Sequence, residues 1–189
     1  MPNWCSTTYY VIGEKENLKD LKDTLDKIAF EHKGTVWMGD LLKSQGIDPE
    51  KQGIYCRGWV EDYNYYEDSP NQLEMYIDYA WDEIPDMRYF IEEEFKVKIY
   101  YYAEEPGMGI YRSNDIEQQY FTMDYIIDSD DGIEYYSTDD AIDWVKDFFD
   151  IPQNEKITEE QILQLIEDYT IKDLDYELRI EKVLYVNDD

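Results

Sequence analysis

The amino-acid sequence predicts an α+β fold, and three observations carry that prediction. Between Leu73 and Trp81, the residues Leu73, Met75, Ile77, Tyr79 and Trp81 alternate with Glu74, Tyr76, Asp78 and Ala80, the period of a half-buried strand. Between residues 15 and 31, Leu18, Leu21, Leu25, Ile28 and Ala29 recur at helical spacing, with Lys and Asp on the other face. The two periods also succeed one another twice along the first hundred residues, strand to helix and back to strand.

Taken in order, Trp4–Ile12 (WCSTTYYVI) reads as a strand of aromatic and β-branched residues closed by Gly13. The helix over 15–31 follows and stops at Gly34, with His32 at its end, facing solvent or capping it. From Thr35 to Gly53 the signals weaken to a short strand at Val36–Met38 and a helical turn at Leu41–Leu42, ended by Gly46 and Pro49. This segment reads as an insertion on the core. Residues 54–60 (IYCRGWV) read as the second strand, and 61–71 as a polar turn broken at Pro70. After the strand 73–81, Asp82 stands where a helix needs a cap and Pro85 fits a first turn. Ile84, Met87, Ile91 and Phe95 make the apolar face, and residues 97–103 return to strand. Strand, helix, strand, strand, helix, strand is the ferredoxin-like βαββαβ order, with helices on one face of an antiparallel sheet.

Past Asp115 the sequence predicts a hairpin turning at Ser129–Gly132 and a helix from Thr138 to Phe149 that buries Ala141, Ile142, Val145, Phe148 and Phe149. Pro152 ends that helix. A second opens with Thr158-Glu159-Glu160-Gln161, a capping box, and buries Ile162, Leu165, Ile166 and Tyr169. A final strand covers Tyr176–Val186, its alternation breaking at Glu181–Lys182. The expected organisation is a ferredoxin-like core over 1–115 and an acidic C-terminal α+β extension over 116–189 packed on it.

The charge is lopsided: 17 Lys and Arg against 46 Asp and Glu, net −29. Residues 1–114 hold 12 basic and 23 acidic residues, and residues 115–189 hold 5 and 23. Such a field repels phosphate backbones and anionic membranes and attracts basic partners. No apolar run approaches the ~20 residues of a membrane-spanning helix. Cys5 and Cys56 are the only cysteines and form no metal-like pair, so a cytoplasmic protein with two reduced, buried thiols is expected.

A family resemblance enters on particular residues. MPNWC ahead of a strand and Gly13, the aromatic strand ending YIDYAW, and AEEPGMGIYRSND together resemble the YubB-type ferredoxin-like domain proteins over residues 1 to about 125. The C-terminal hairpin and helices are more loosely similar. These are largely uncharacterised proteins of plasmids, phages and conjugative elements, and this form resembles those of gut Bacteroidales. The resemblance implies a ferredoxin-like fold and a mobile-element origin, and brings no cofactor, activity or catalytic residue.

His32 is the only histidine, which disfavours triads and histidine-bound zinc. A cysteine nucleophile needs a base and a lowered pKa, and Cys5 and Cys56 lie in strand-like, apolar surroundings. Two candidate sites remain. Glu104, Glu105, Asn114 and Asp115 bracket a Pro-Gly-Met-Gly loop, and converging oxygens there would bind Ca²⁺ or Mg²⁺ or act as an acid–base pair. Solvated loop carboxylates explain the same pattern. Asp128-Ser129-Asp130-Asp131-Gly132 resembles a calcium loop, but its glycine comes one position early and no glutamate follows at the required spacing, so it reads as a hairpin turn. Asp139, Asp140, Asp143, Asp147 and Asp150, with Glu159, Glu160, Glu167 and Asp168, are the candidate acidic partner surface, Asp140, Asp143 and Asp147 forming one helical stripe. A basic host protein is the expected partner, with a DNA-mimic or anti-defence role, and a solvated amphipathic face is the plain alternative. Direct nucleic-acid binding is not expected. Tyr10, Tyr76, Tyr100 and Tyr102 resemble a base-stacking platform, but the strands around them are too poor in Lys and Arg.

Overall fold

In the order of the chain, the first half of the protein runs β1 (Trp4–Ile12), α1 (Lys15–Glu31), β2 (Val36–Trp37), α2 (Met38–Ser44), α3 (Pro49–Gln52), β3 (Gly58–Tyr65), β4 (Gln72–Ala80), α4 (Pro85–Phe95), β5 (Lys98–Glu105), a 3-10 turn (Pro106–Met108) and β6 (Ile110–Ser113). The structure, a computed structural model, describes residues 3–129, 132–172 and 178–187. The chain divides into two units, Met1–Ile116 with Val186–Asp189, and Glu117–Tyr185. The fold class is α+β.

In the first unit β1 is central because its alternate residues Cys5, Thr7, Tyr9 and Val11 are buried on one face. It pairs antiparallel with β4, Trp4 opposite Ala80 and Ile12 opposite Gln72, and with β5, Ser6 opposite Glu104 and Ile12 opposite Lys98. Within this unit the strands lie in the order β6-β5-β1-β4-β3-β2. Leu18, Leu21, Leu25 and Ile28 of α1, and Met87, Ile91 and Phe95 of α4, pack in one core with Leu73, Met75, Ile77 and Tyr79 of β4. Each such side chain contributes about 1.5–3 kcal/mol by leaving water.

Three local expectations are corrected. Strand β3 starts at Gly58, later than Ile54, and runs on through residues that look like a polar turn. A register shift between Val60 and Asp62 lets Tyr63 and Tyr65 pack their rings on the core. Their hydroxyls stay satisfied, on Asp26 at 2.8 Å and on the Pro70 carbonyl at 3.1 Å. Pro49 opens a helix instead of ending one, with the Asp48 side chain accepting from the Lys51 N–H at 3.3 Å. Asp82 does not cap α4. Ile84 occupies the cap position, and Asp82 Oδ1 is taken by the Glu83 N–H at 2.7 Å and by Arg112 at 2.8 Å.

The second unit holds β7 (Tyr125–Ser129), β8 (Gly132–Tyr136), α5 (Thr138–Phe148), α6 (Glu159–Lys172), β9 (Arg179–Lys182) and β10 (Leu184–Tyr185). A three-stranded antiparallel sheet, β8-β7-β9, packs Tyr125 and Ile127 with Ala141 and Val145 of α5 and Ile162 and Ile166 of α6. The capping box is formed. Gln161 Oε1 accepts from the Thr158 N–H at 2.8 Å and Thr158 Oγ1 from the Gln161 N–H at 3.3 Å. The last strand breaks at Val183, whose N–H turns to the Asp124 carbonyl at 2.8 Å. After β10 the chain re-enters the first unit, and Val186 donates to the Ser113 carbonyl at 2.8 Å. Asp130 and Asp131 of the acidic turn, the Glu167 side chain and the expected strand start at Tyr176 lie outside the described residues.

Candidate functional site

Glu104 and Glu105 are consecutive in β5, so strand geometry sends them to opposite faces. Glu104 is half-buried and accepts from the Tyr102 hydroxyl at 2.9 Å. Glu105 is buried. Its Oε1 accepts from the Gly107 N–H at 3.2 Å and caps the 3-10 turn, and its Oε2 has no hydrogen-bond partner among the described residues. Gly109, at φ 65°, reverses the chain into β6.

Asn114 extends that hairpin with its side chain. Its Oδ1 accepts from the Tyr101 N–H at 2.7 Å and its Nδ2 donates to the Ile99 carbonyl at 3.0 Å. Asp115 is buried, its N–H on Ser113 Oγ at 3.0 Å. Tyr101 stands four residues before Glu105 on β5, about 13 Å along an extended strand at roughly 3.3 Å per residue. The pairing of β5 with β6 thus places Glu104–Glu105 and Asn114–Asp115 at opposite ends of a hairpin. Among the described residues, no three His, Cys, Asp or Glu side chains are grouped to hold a metal ion.

A different polar cluster lies inside the first unit, between β1, β4 and the start of α4. Glu83 Oε1 accepts from the Tyr9 hydroxyl at 2.7 Å and from Arg88 Nε at 3.0 Å, and Tyr9 and Tyr79 share a hydroxyl contact of 3.1 Å. The Arg88 guanidinium also stands 4.9 Å from the Tyr101 ring centroid. Burial, opposed by Arg88 and by Tyr9, raises the Glu83 carboxyl above its ordinary range. Burial likewise pushes Tyr9 and Tyr79 up, and pushes the Cys5 thiol up to about 11. A thiol so raised stays protonated at neutral pH and is no nucleophile. Period-two reading finds Tyr9 and Tyr79, but Glu83 and Arg88 look like surface charges flanking Pro85. Only the fold draws them inward.

The acidic helices present most of the surface read from the sequence. On α5 the side chains of Asp139, Asp140, Asp143 and Asp147 are all exposed, as is Asp150 just beyond it. Asp140 accepts from Ser137 Oγ and Asp147 from Gln153 Nε2, each at 2.6 Å. Lys146, the only base on α5, is 7% exposed and donates to the Gln153 carbonyl at 3.1 Å. Glu159, Glu160 and Asp168 of α6 are exposed. Glu159 is ion-paired with Lys182 at 2.7 Å, which with the Tyr125 hydroxyl holds its carboxyl below the usual range.

No helix among the described residues is long and apolar enough to cross a membrane. Compared with protein-family models, with curated proteins and with solved structures, the chain matches none.

Proposed function

We propose that this is a non-enzymatic accessory protein that binds a basic protein partner through the acidic faces of its second unit. The observation that carries the reading is the polarity of α5: four aspartates face solvent and its one lysine is folded against Gln153. Carboxylates at i, i+3 and i+7 run along one stripe, a spacing suited to a Lys- or Arg-rich surface that otherwise grips phosphates. The net charge of −29 adds long-range attraction for such a partner. The mobile-element setting, the cytoplasmic location and the DNA-mimic or anti-defence role rest on the family resemblance and the charge. A ferredoxin-like core is supported by the antiparallel order β5-β1-β4-β3 with α1 and α4 in one core.

The test is retention of host proteins on immobilised protein at about 50 mM and about 500 mM salt, with bound protein challenged by duplex DNA. Capture of basic proteins at low salt, released by salt and blocked by DNA, is expected. The Asp140→Asn/Asp143→Asn/Asp147→Asn variant should lose it. Equal capture by that variant would remove the reading.

One observation favours the carboxylate-based alternative, a small hydrolase or divalent-cation site at the Glu104–Asp115 loop: the buried Oε2 of Glu105, which has no partner among the described residues. Melting curves with and without Ca²⁺, Mg²⁺ and Mn²⁺ test it, since a bound cation raises the melting temperature. Curves that superimpose would remove the cation version.

A further inference from the structure

Trp4, Trp37, Tyr55 and Trp59 wall a cleft of about 550 Å³ in the first unit, with Glu50 and Arg57 also lining it. That volume falls within the range of small-ligand sites. Trp37 and Trp59 face each other across β2 and β3, ring centroids 6.4 Å apart and planes at 45°. Gly39 permits this: a Cβ there would stand 2.5 Å from carbons of the Trp37 ring. Trp4, Tyr55 and Trp59 are 42%, 48% and 38% exposed, a concentration of large aromatics typical of recognition sites and not of idle surface.

Three features identify the occupant. The protein's own Lys43 Nζ, which lines a neighbouring pocket and not this cleft, stands 4.7 Å from the Trp37 ring centroid, so the Trp37 ring itself accepts an ammonium. The protein's field enriches cations and repels anions. Glu50 adds an exposed carboxylate, and Pro49 and Ile54 supply apolar surface for an aliphatic stem.

We propose that this cleft binds a cationic side chain, an arginine or lysine of a protein partner, with its charged head over the aromatic faces and its stem against Pro49 and Ile54. The site lies in a different unit from the acidic helices and acts by contact, so it does not rest on the reading given for them. Arg57 is exposed, makes no ion pair among the described residues, and carries the same charge as the occupant. It therefore opposes binding and gives the test its sign.

The experiment titrates the full chain with acetyl-Gly-Arg-Gly-amide, following tryptophan fluorescence and the indole N–H signals by NMR. Its uncharged citrulline counterpart is the control. The arginine peptide should saturate, moving the signals of Trp4, Trp37 and Trp59, and the citrulline peptide should bind about tenfold more weakly. Glu50→Gln should weaken binding and Arg57→Ala should tighten it. Tyr55→Ala, at an exposed position outside the strands, should weaken binding with the fold intact, and Trp59→Ala should do the same. Binding should persist at about 500 mM salt, where attraction to the acidic helices is screened. Equal binding of the citrulline peptide, loss of binding in Arg57→Ala, or indole signals that do not move would each overturn the proposal.

Discussion

Arg88 Nε donates to Glu83 Oε1 at 3.0 Å, and the two side chains are 1% and 0% exposed, an ion pair wholly inside the core. Breaking such a pair strands a charge, whereas replacing both partners with apolar groups does not. Arg88→Met should therefore cost about 3–5 kcal/mol in urea unfolding, and Glu83→Leu/Arg88→Met should recover much of that loss. The pH dependence has a definite sign. Because burial raises the folded carboxyl, the folded state keeps a proton that the unfolded chain has lost. This group's contribution to stability thus falls as pH rises from about 4.3 through the raised folded value, and is level above it. Without Arg88 the carboxyl rises further, so the urea midpoint of Arg88→Met should fall more steeply with pH than that of the unaltered protein.

Asp124 behaves in the opposite way. Its Oδ2 accepts from the Thr138 N–H at 2.9 Å and hydroxyl at 2.7 Å, and its Oδ1 from Gln118 at 2.8 Å. Burial works against the charge, but these donors prevail and hold the carboxyl below its usual range. Its contribution is present above about pH 3.9, the unfolded value, and is lost as pH falls through the lower folded one. Asp124→Ala should lower stability by about 1–3 kcal/mol at neutral pH, measured by urea unfolding, with a smaller loss in acid.

Gly58 begins β3 against the face of Tyr79, and a Cβ there would enter the tyrosine ring and stand 3.2 Å from the Asp78 carbonyl. Gly58→Ala should cost about 1–3 kcal/mol through overpacking, seen as a lower urea midpoint at unchanged slope.

The capping box at α6 offers a smaller effect. Thr158→Ala removes the acceptor for the Gln161 N–H and should cost about 1 kcal/mol by circular dichroism, and Thr158→Ser should restore most of it.

Cys5 and Cys56 are buried and unpaired, and burial raises both thiols. Cys5 should not react with a water-soluble disulfide reagent at neutral pH in the folded protein, Cys56, which lines the aromatic cleft, should react more slowly than a free thiol, and both should react at once in denaturant. Rapid titration of one thiol in the native state would contradict the packing around it.

The elements with long, regular periods were legible in the residues. α1 spans 15–31 as the recurrence of Leu18, Leu21, Leu25 and Ile28 requires, and Thr158 and Gln161 announce the start of α6 by local chemistry alone. β3 was not legible to its end, because Asp62 and Asn64 mark a turn locally while Tyr63 and Tyr65 find partners only across the fold. The loop carboxylates were legible as residues but not as an arrangement. Side-chain alternation in β5 and the pairing of β5 with β6 decide which of them meet, and both are settled by a partner strand.

By itself the sequence determined composition, charge, the periods that make helices and strands, and the outward aspartates of α5, since these depend on residues within a few positions of one another. Only the tertiary structure decided that Glu83 and Arg88 are buried, that Lys146 turns inward, and that Trp4, Trp37, Tyr55 and Trp59 wall a single cleft. The physical reason is the same in each case. A charge is buried, or an aromatic cleft assembled, by groups brought together from distant positions in the chain, and local periodicity holds no record of those contacts.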